Sequence, residues 1–163
     1  RHARRDRCDG HPAGVKKVSP LPKKFKSLPP SGVYHLVLHL GKERRIQVGA
    51  LGRFVFPAGY YTYTGRSMRA LPARVARHAR RDKTLRWHID YFRRHTKFIG
   101  VQVIASTKPG DEERLARALL ALAQKQTGNN AVPAPGFGAS DSSCPAHLFY
   151  WGNLSPDFEK IHK

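Results

Sequence analysis

A dense group of cations between residues 65 and 97 is the first feature that points to chemistry. The segment holds eleven Lys and Arg but only two acidic residues, so it carries a net charge of +9. Within it, Arg74, His78 and Arg81 recur at the i, i+4 and i+7 spacing of one helix face. Two carboxylates cannot pair with eleven cations, so we expect most of these side chains to be available for an anion, and phosphate groups are the natural class.

The charge of the whole chain supports a polyanionic partner. Thirty Lys and Arg face eleven Asp and Glu in 163 residues, for a formal net charge of +19. Residues 1–31 carry +7, so this segment and residues 65–97 hold all but three of the net charges. Because such an excess repels itself in a compact chain, nucleic acid is the first candidate partner and an anionic membrane surface the second.

Composition limits the classes of protein to which this chain can belong. Apolar residues make up 40% of the chain, which is enough for the core of one domain. The two cysteines, Cys8 and Cys144, are too few for a disulfide framework or a zinc site. The apolar runs are far shorter than a membrane span, and no amphipathic helix offers an apolar insertion face, so we expect no membrane contact. The chain starts with Arg1 rather than Met, which leaves targeting open, and we expect a cytoplasmic or nucleoid-associated location.

Changes in hydrophobic periodicity along the chain indicate the strands and helices that would position these residues. Alternation of β-branched and apolar residues predicts strands at 32–40, 44–49, 53–56, 60–65, 97–106 and 147–152. Close turns between the first four predict an antiparallel meander. The period-2 patterns of 33–40 and 60–64 also lead us to expect these two strands side by side in a central antiparallel sheet. Period-3.6 spacing predicts three helices, one beginning near Leu71, one at 84–95 and one at roughly 112–126. The predicted fold class is therefore α+β, with a small central antiparallel sheet flanked by about three helices.

The same patterns divide the chain into a domain with two tails. Residues 1–31 lack apolar periodicity and are rich in Pro and Lys, which predicts a disordered basic tail or linker. The domain is expected to cover 32–152, and residues 153–163 are expected to form a C-terminal tail. Leu122 is expected to face inward on the third helix, and residues 127–147 are expected to form a long loop.

Two short triplets give the chain a family resemblance. Gly32-Val33-Tyr34 on the first strand and Tyr63-Thr64-Gly65 on a later strand look like the two halves of the GIY-YIG nuclease signature. The second triplet leads through Arg66 into a helix that carries Arg74, and a later helix begins Glu112-Glu113-Arg114-Leu115. These positions resemble the basic residue, the catalytic arginine and the metal-binding glutamate of that family.

Three longer blocks resemble one branch of the family. Residues 56–61, 85–91 and 136–150 are similar to the Uri-type branch, a little-characterised group of microbial GIY-YIG domains. The resemblance covers residues 32–152, and it implies the GIY-YIG fold together with a metal-dependent nuclease that hydrolyses phosphodiester bonds. The implied partner is nucleic acid, with DNA favoured over RNA.

The resemblance also implies the roles of the site residues. Glu112 would bind a divalent metal, Mg²⁺ or Mn²⁺, with Glu113 as the alternative ligand, and a hard cation of this kind needs few protein carboxylates. Arg74 would hold the scissile phosphate in a two-pronged contact. Tyr34 and Tyr63 would activate or position the attacking water, and we expect nearby cations and the metal to favour the phenolate.

A histidine and further arginines complete this prediction. His78, one helical turn from Arg74, would relay protons or bind phosphate. The nine histidines show no recognised metal-ligand spacing, so the others are interpreted as structural or incidental. The expected nucleic-acid-binding side chains are Arg66, Arg69, Arg77, Arg81 and Arg86.

Structural alternatives exist for most of these residues. Tyr34 is also explained by sheet packing, Glu112 by the helix dipole, and His78 as an incidental histidine on a helix surface. Trp87 is interpreted as a core residue. The second functional hypothesis is a non-catalytic nucleic-acid-binding module on the same fold, which gains support if Glu112 points away from Tyr34 and Arg74.

Overall fold

The apolar and β-branched residues of the 32–40 segment form the central strand of the protein. A computed structural model describes residues 21–106, 108–140, 142–158 and 163. The strands in these residues are β1 (Gly32–Leu40), β2 (Arg44–Val48), β3 (Gly52–Phe56), β4 (Gly59–Ser67), β5 (Lys97–Ile104) and β6 (Leu148–Gly152). The helices are α1 (Leu71–Ala79), α2 (His88–Arg93) and α3 (Asp111–Thr127). The protein therefore has the α+β fold that its sequence predicts.

β1 holds the main sheet together because both of its edges are paired. The sheet is four-stranded and antiparallel, with the order β5-β1-β4-β6. The register of β1 and β4 sets Tyr34 opposite Gly65 and Leu36 opposite Tyr63, so the prediction that these segments lie side by side is confirmed. Tyr34, Leu36 and Leu38 alternate along β1 and belong to the buried core.

β2 and β3 do not extend this sheet as the predicted meander. They form a separate two-stranded hairpin in which Ile46, Val48 and Phe56 are buried. The ring centroid of Phe56 lies 4.9 Å from that of Phe92 in α2, so the hairpin covers the core beside that helix. The meander prediction is wrong because alternation determines which residues face the core and leaves open which strand edges pair.

α2 is shorter than the predicted 84–95 helix because a carboxylate caps its first turn. Asp90 is fully buried and accepts hydrogen bonds from the backbone N–H groups of Arg86 (2.9 Å) and Trp87 (3.0 Å). Arg77 of α1 donates two more hydrogen bonds to the same carboxylate, at 2.9 and 2.8 Å. Burial by itself would raise the pKa of Asp90, but these hydrogen bonds outweigh it and lower that pKa to about 2. Asp90 thus joins α1 to α2 through a charged contact.

α3 presents a different face to the core than predicted. It begins after Gly110, whose φ of 84° is a left-handed conformation that glycine adopts without steric cost. Leu122 is 51% exposed, so the prediction that it faces inward is wrong. Alanine and leucine together form the face of α3 that packs on the core. The spacing of the leucines alone does not reveal this face. The buried residues of this helix are Ala116, Leu119, Leu120 and Ala123.

Both ends of the described chain pack on the domain. Residues 21–31 place Phe25 and Leu28 in the buried core, so the disorder predicted for this stretch is wrong. The rest of the predicted basic tail, residues 1–20, lies outside the described residues. Near the other end, Phe158 packs against the core, so the segment after β6 is part of the domain at least this far.

The predicted long loop at 127–147 is built into the fold. It opens with a 3-10 turn over Gly128–Ala131 and buries Phe137, Cys144 and Ala146. These apolar side chains anchor a connection that has little regular structure. Within the described part of the chain, no helix has the length and apolar character needed to cross a membrane.

Candidate active site

One cleft, bordered by β1, β4, α1 and the first turn of α3, brings most of the predicted site residues together. We call it the tyrosine cleft, and its volume is about 360 Å³. Its walls include Tyr34, Tyr63, Arg66, Arg74, His78 and Glu112. All four predicted catalytic residues and the first-choice metal ligand therefore line one depression, although they come from four separate elements.

The pairing of β1 with β4 explains why a glycine ends the second triplet. Gly65 lies opposite Tyr34, and a Cβ atom added to Gly65 would fall 2.5 Å from Cζ of Tyr34. Heavy atoms do not approach that closely, so only glycine leaves room for the Tyr34 ring to cross β4. The ring then reaches α1, where its hydroxyl meets His78.

His78 is a buried partner of Tyr34. Its Nε2 lies 2.9 Å from the Tyr34 hydroxyl in a hydrogen bond, and the residue is only 1% exposed. The interpretation as an incidental surface histidine is therefore wrong. Burial, reinforced by the positive charge of Lys83, lowers the pKa of His78 to about 3, so its imidazole is neutral at neutral pH.

Burial also keeps the two cleft tyrosines in their neutral form. It raises the pKa of Tyr34 well above the ordinary value of 10.0, Tyr63 adds to the rise, and the charge of Arg74 opposes it without cancelling it. The pKa of Tyr63 is raised by burial and then by Glu112. The expectation that nearby cations favour the phenolate is wrong for the protein alone, which offers phenol hydroxyls instead.

Arg74 stands where the tyrosine cleft meets a wider basic groove. Its guanidinium donates a hydrogen bond to the backbone carbonyl of Arg66 at 3.2 Å and lies 5.0 Å from the ring centroid of Trp87. The groove has a volume of about 610 Å³ and is lined by residues that include Arg66, Arg69, Arg74, Arg77 and Trp87. Trp87 is 37% exposed here, so its interpretation as a core residue is wrong.

The predicted nucleic-acid-binding arginines fall into two groups. Arg77 is bound to Asp90 at 2.8 Å, and Arg81 donates to a backbone carbonyl of the segment after α2 at 3.1 Å. Arg66 and Arg69 line the basic groove, the first half-buried and the second exposed, and Arg86 is exposed beside the tyrosine cleft. Backbone carbonyls bind these cations as well as carboxylates do, and the number of acidic residues in the sequence does not reveal such acceptors.

The C-terminal end of α1 takes up two more cations of the segment. The Lys83 ammonium donates to the carbonyls of Arg77 (2.8 Å) and His78 (3.3 Å). Arg93, which is 3% exposed, donates to the carbonyls of His78 (3.0 Å) and Ala79 (2.7 Å). Cations at this end of a helix satisfy its last carbonyls and complement its dipole. Part of the +9 charge is therefore structural, and only some of the remaining cations line the cleft and its groove.

The two adjacent glutamates of α3 have different surroundings. Glu113 is hydrogen-bonded to Ser143 and forms an ion pair with Arg117 at 3.1 Å. Glu112 lines the tyrosine cleft, and its side chain is 31% exposed. No cluster of three or more His, Cys, Asp or Glu residues suited to a metal occurs in the described residues. Glu112 is thus the glutamate that offers a carboxylate to the cleft.

His147 is a site residue that the sequence analysis missed. It lines a second cavity, of about 350 Å³, which it shares with Glu112 and Tyr63 and which we call the loop cavity. Its Nδ1 lies 3.3 Å from Oε1 of Glu112, and the residue is 3% exposed. Metal-ligand spacing in a sequence is recognised between residues of one element. The contact between His147 and Glu112 instead joins α3 to the residue before β6.

Comparison with known proteins identifies a family for this fold and site. The family model described as "Domain of unknown function DUF123" matches residues 33–163. The match includes all three helices, nearly all of the main sheet and the segment after β6. No curated protein and no solved structure matches the chain.

The depressed pKa of His78 predicts an acid-sensitive fold. In the unfolded chain a histidine titrates near pH 6.5, whereas the folded value is about 3. Between these values the unfolded chain binds more protons, so the free energy of unfolding should fall as the pH drops through this window. His35, whose pKa burial lowers to about 4, acts in the same direction.

An NMR titration of the imidazole signals combined with urea unfolding at several pH values tests this prediction. We expect the His78 ring to stay neutral at about pH 5 and stability to decline below about pH 6.5. Replacing His35 by Asn should make the decline shallower. A His78 ring that titrates near pH 6.5 would contradict the burial argument.

Proposed function

We propose that this chain, which belongs to the DUF123 family of domains of unknown function, is a metal-dependent endonuclease that hydrolyses phosphodiester bonds in nucleic acid, with DNA favoured over RNA. The observation that carries the proposal is the composition of the tyrosine cleft. Glu112, Arg74 and the Tyr34–His78 pair come from three separate elements and line one cavity. The resemblance of the same residues to the GIY-YIG signature supports it.

Glu112 fits a divalent ion such as Mg²⁺ or Mn²⁺. Its carboxylate is partly exposed in the cleft, and such ions use one or two carboxylates while keeping water and phosphate oxygens as their remaining ligands. When bound, the ion would neutralise charge on the phosphoryl group and stabilise the leaving oxygen. Glu113 fits less well because Arg117 and Ser143 already bind its carboxylate.

Arg74 is the residue that would hold the scissile phosphate. One of its N–H donors is used by the carbonyl of Arg66, and the planar guanidinium retains donors for two phosphate oxygens. The neighbouring Trp87 ring favours a fixed position of the cation through its π face. A guanidinium held in this way stabilises charge that develops on the phosphoryl oxygens in the transition state.

The Tyr34–His78 pair would position the attacking water. A phenol hydroxyl both donates and accepts hydrogen bonds, and the bond to His78 determines how it is oriented in the cleft. Because the pKa of Tyr34 is raised and that of His78 is lowered, both groups are neutral in the free protein. We therefore propose that the pair orients the water and that Tyr34 does not act as a preformed phenolate.

Cations around the cleft would supply most of the affinity for nucleic acid. Arg66 and Arg69 line the basic groove and Arg86 lines the loop cavity, so they surround the position proposed for the scissile phosphate. Contacts of this kind bind phosphates without reading sequence. Arg77 and Arg81 would contribute less because Asp90 binds the guanidinium of Arg77 and a backbone carbonyl accepts a hydrogen bond from that of Arg81, which is otherwise exposed.

Cleavage by site variants tests the proposed activity. Wild type should cut DNA in the presence of Mg²⁺ or Mn²⁺, and Glu112→Gln and Arg74→Ala should each reduce the rate by about 10²–10³-fold, because each removes stabilisation of transition-state charge. Single-turnover cleavage of single-stranded, duplex and branched substrates measures these rates.

Glu113→Gln is the matched control, since it makes the same change one residue away, outside the tyrosine cleft, and should cut nearly as fast as wild type. Tight binding with no cleavage in either metal would favour the non-catalytic binding module. Equal cleavage by wild type, Glu112→Gln and Arg74→Ala would show that the reaction takes place elsewhere.

The salt dependence of binding tests the division of the arginines. The logarithm of the binding constant should fall steeply and linearly with the logarithm of salt concentration, because phosphate contacts release counterions. Arg69→Ala should reduce the magnitude of that slope by about one, as expected for one lost phosphate contact. Arg81→Ala is the control, because Arg81 lines neither the tyrosine cleft nor the basic groove, and it should change the slope less than Arg69→Ala does. Fluorescence anisotropy of labelled DNA gives the slopes, and an affinity indifferent to salt would contradict the phosphate-binding argument.

A further inference from the structure

The imidazole of His147 is buried and has no hydrogen-bond partner among the described residues. This holds for both ring nitrogens, although the residue is only 3% exposed. Buried polar side chains are nearly always paired, so an unpaired buried imidazole calls for a specific explanation. The Glu112 carboxylate lies 3.3 Å from Nδ1 but outside hydrogen-bond geometry.

The backbone around His147 is held on both sides. Its N–H donates to the carbonyl of Phe137 at 2.8 Å, and its carbonyl accepts from the N–H of Thr64 at 3.0 Å. Thr64 follows Tyr63 in β4, so the imidazole is tied to the strand that carries a cleft tyrosine. A buried side chain on a backbone that is held in this way loses little conformational freedom when it binds a ligand.

The spacing of the two side chains suits a shared ion. Imidazole nitrogens and carboxylate oxygens bind small divalent metals at roughly 2.0–2.2 Å. Two donors at that distance from one ion and 3.3 Å from each other subtend about 100° at the ion. That angle lies between the octahedral and tetrahedral values, so one ion fits both atoms without a large rearrangement.

We propose that His147 and Glu112 together bind one divalent transition-metal ion, through Nδ1 and a carboxylate oxygen, and that the site prefers such an ion to Mg²⁺. The inference rests on the proposed function for the place of Glu112 in the reaction. His147 is then the second protein ligand. Glu112 lines both the tyrosine cleft and the loop cavity, and His147 lines the loop cavity, so water and phosphate oxygens would have access to an ion held by these two residues.

The chemistry of the donors sets the selectivity. Mg²⁺ prefers oxygen ligands, whereas imidazole favours first-row transition metals, whose affinity for a mixed nitrogen and oxygen site rises beyond Mn²⁺ along the series. Mn²⁺ is the weakest of these ions and therefore the most demanding probe. Its unpaired electrons also report directly on a bound nitrogen.

Metal binding to the full chain, measured without nucleic acid, tests the proposal. Calorimetry should detect one Mn²⁺ per chain, and Mg²⁺ should displace it only in large excess. Pulsed electron paramagnetic resonance of the Mn²⁺ complex should show coupling to one imidazole nitrogen. His147→Gln should abolish the coupling and weaken Mn²⁺ binding at least 10-fold, the lower end of the effect of losing even an indirect partner of a ligand.

His88→Gln is the matched histidine control. His88 lines the same loop cavity, but its Nδ1 already accepts a hydrogen bond from the N–H of Gly138 at 2.9 Å. This variant should retain the nitrogen coupling. Because the coupling is measured on wild type, the proposal stays testable even if His147→Gln folds poorly.

The outcomes separate this inference from the proposed nuclease. Mn²⁺ binding without nitrogen coupling, or no Mn²⁺ binding in the absence and presence of DNA, would overturn the role of His147. Cleavage without the coupling would leave the nuclease proposal standing and remove His147 from the metal site. Coupling without cleavage of any substrate would retain the metal site and count against the nuclease.

Discussion

The close approach of Tyr34 to Gly65 is the contact on which the rest of the site depends. The antiparallel register sets the two residues opposite each other, and the missing side chain of Gly65 lets the aromatic ring cross β4. The hydroxyl then reaches His78, which ties the central strand to α1. Arg74 lies one turn earlier on the same helix, so the contact that joins sheet and helix also sets the place of the cleft arginine. A larger residue at position 65 would displace the ring and open the site.

The carboxylate and carbonyl acceptors of the fold determine which cations are bound within the protein and which stay at its surface. Asp90 and the carbonyls at the end of α1 bind Arg77, Lys83 and Arg93, and these cations stabilise the junction of α1 with α2. Other cations, among them Arg66, Arg69 and Arg74, line the groove beside the cleft, where a phosphate could bind them. The strong basicity of the chain therefore serves two purposes, and only the surface part bears on a polyanionic partner.

Local sequence patterns predicted the strands and helices of this protein well. They predicted poorly which elements and side chains contact one another. The alternation in β1 and β4 and the period of α1 follow from residues within one element, so those elements lie where the sequence places them. The family resemblance predicted five side chains that do line one cleft. The burial of His78 and the exposure of Trp87 depend on segments far away in the chain, and periodicity does not encode these. The contact between Glu112 and His147 was missed for the same reason.

We propose that the tyrosine cleft hydrolyses phosphodiester bonds and that the Tyr34 hydroxyl orients the attacking water. The most direct test is single-turnover cleavage of DNA by Tyr34→Phe, which removes one oxygen atom and keeps the ring over Gly65. We predict that the cleavage rate falls by at least about 10²-fold while the dissociation constant for DNA changes little, because the lost contact acts in the transition state. A Tyr34→Phe protein that cuts DNA as fast as wild type would contradict this role of the Tyr34 hydroxyl.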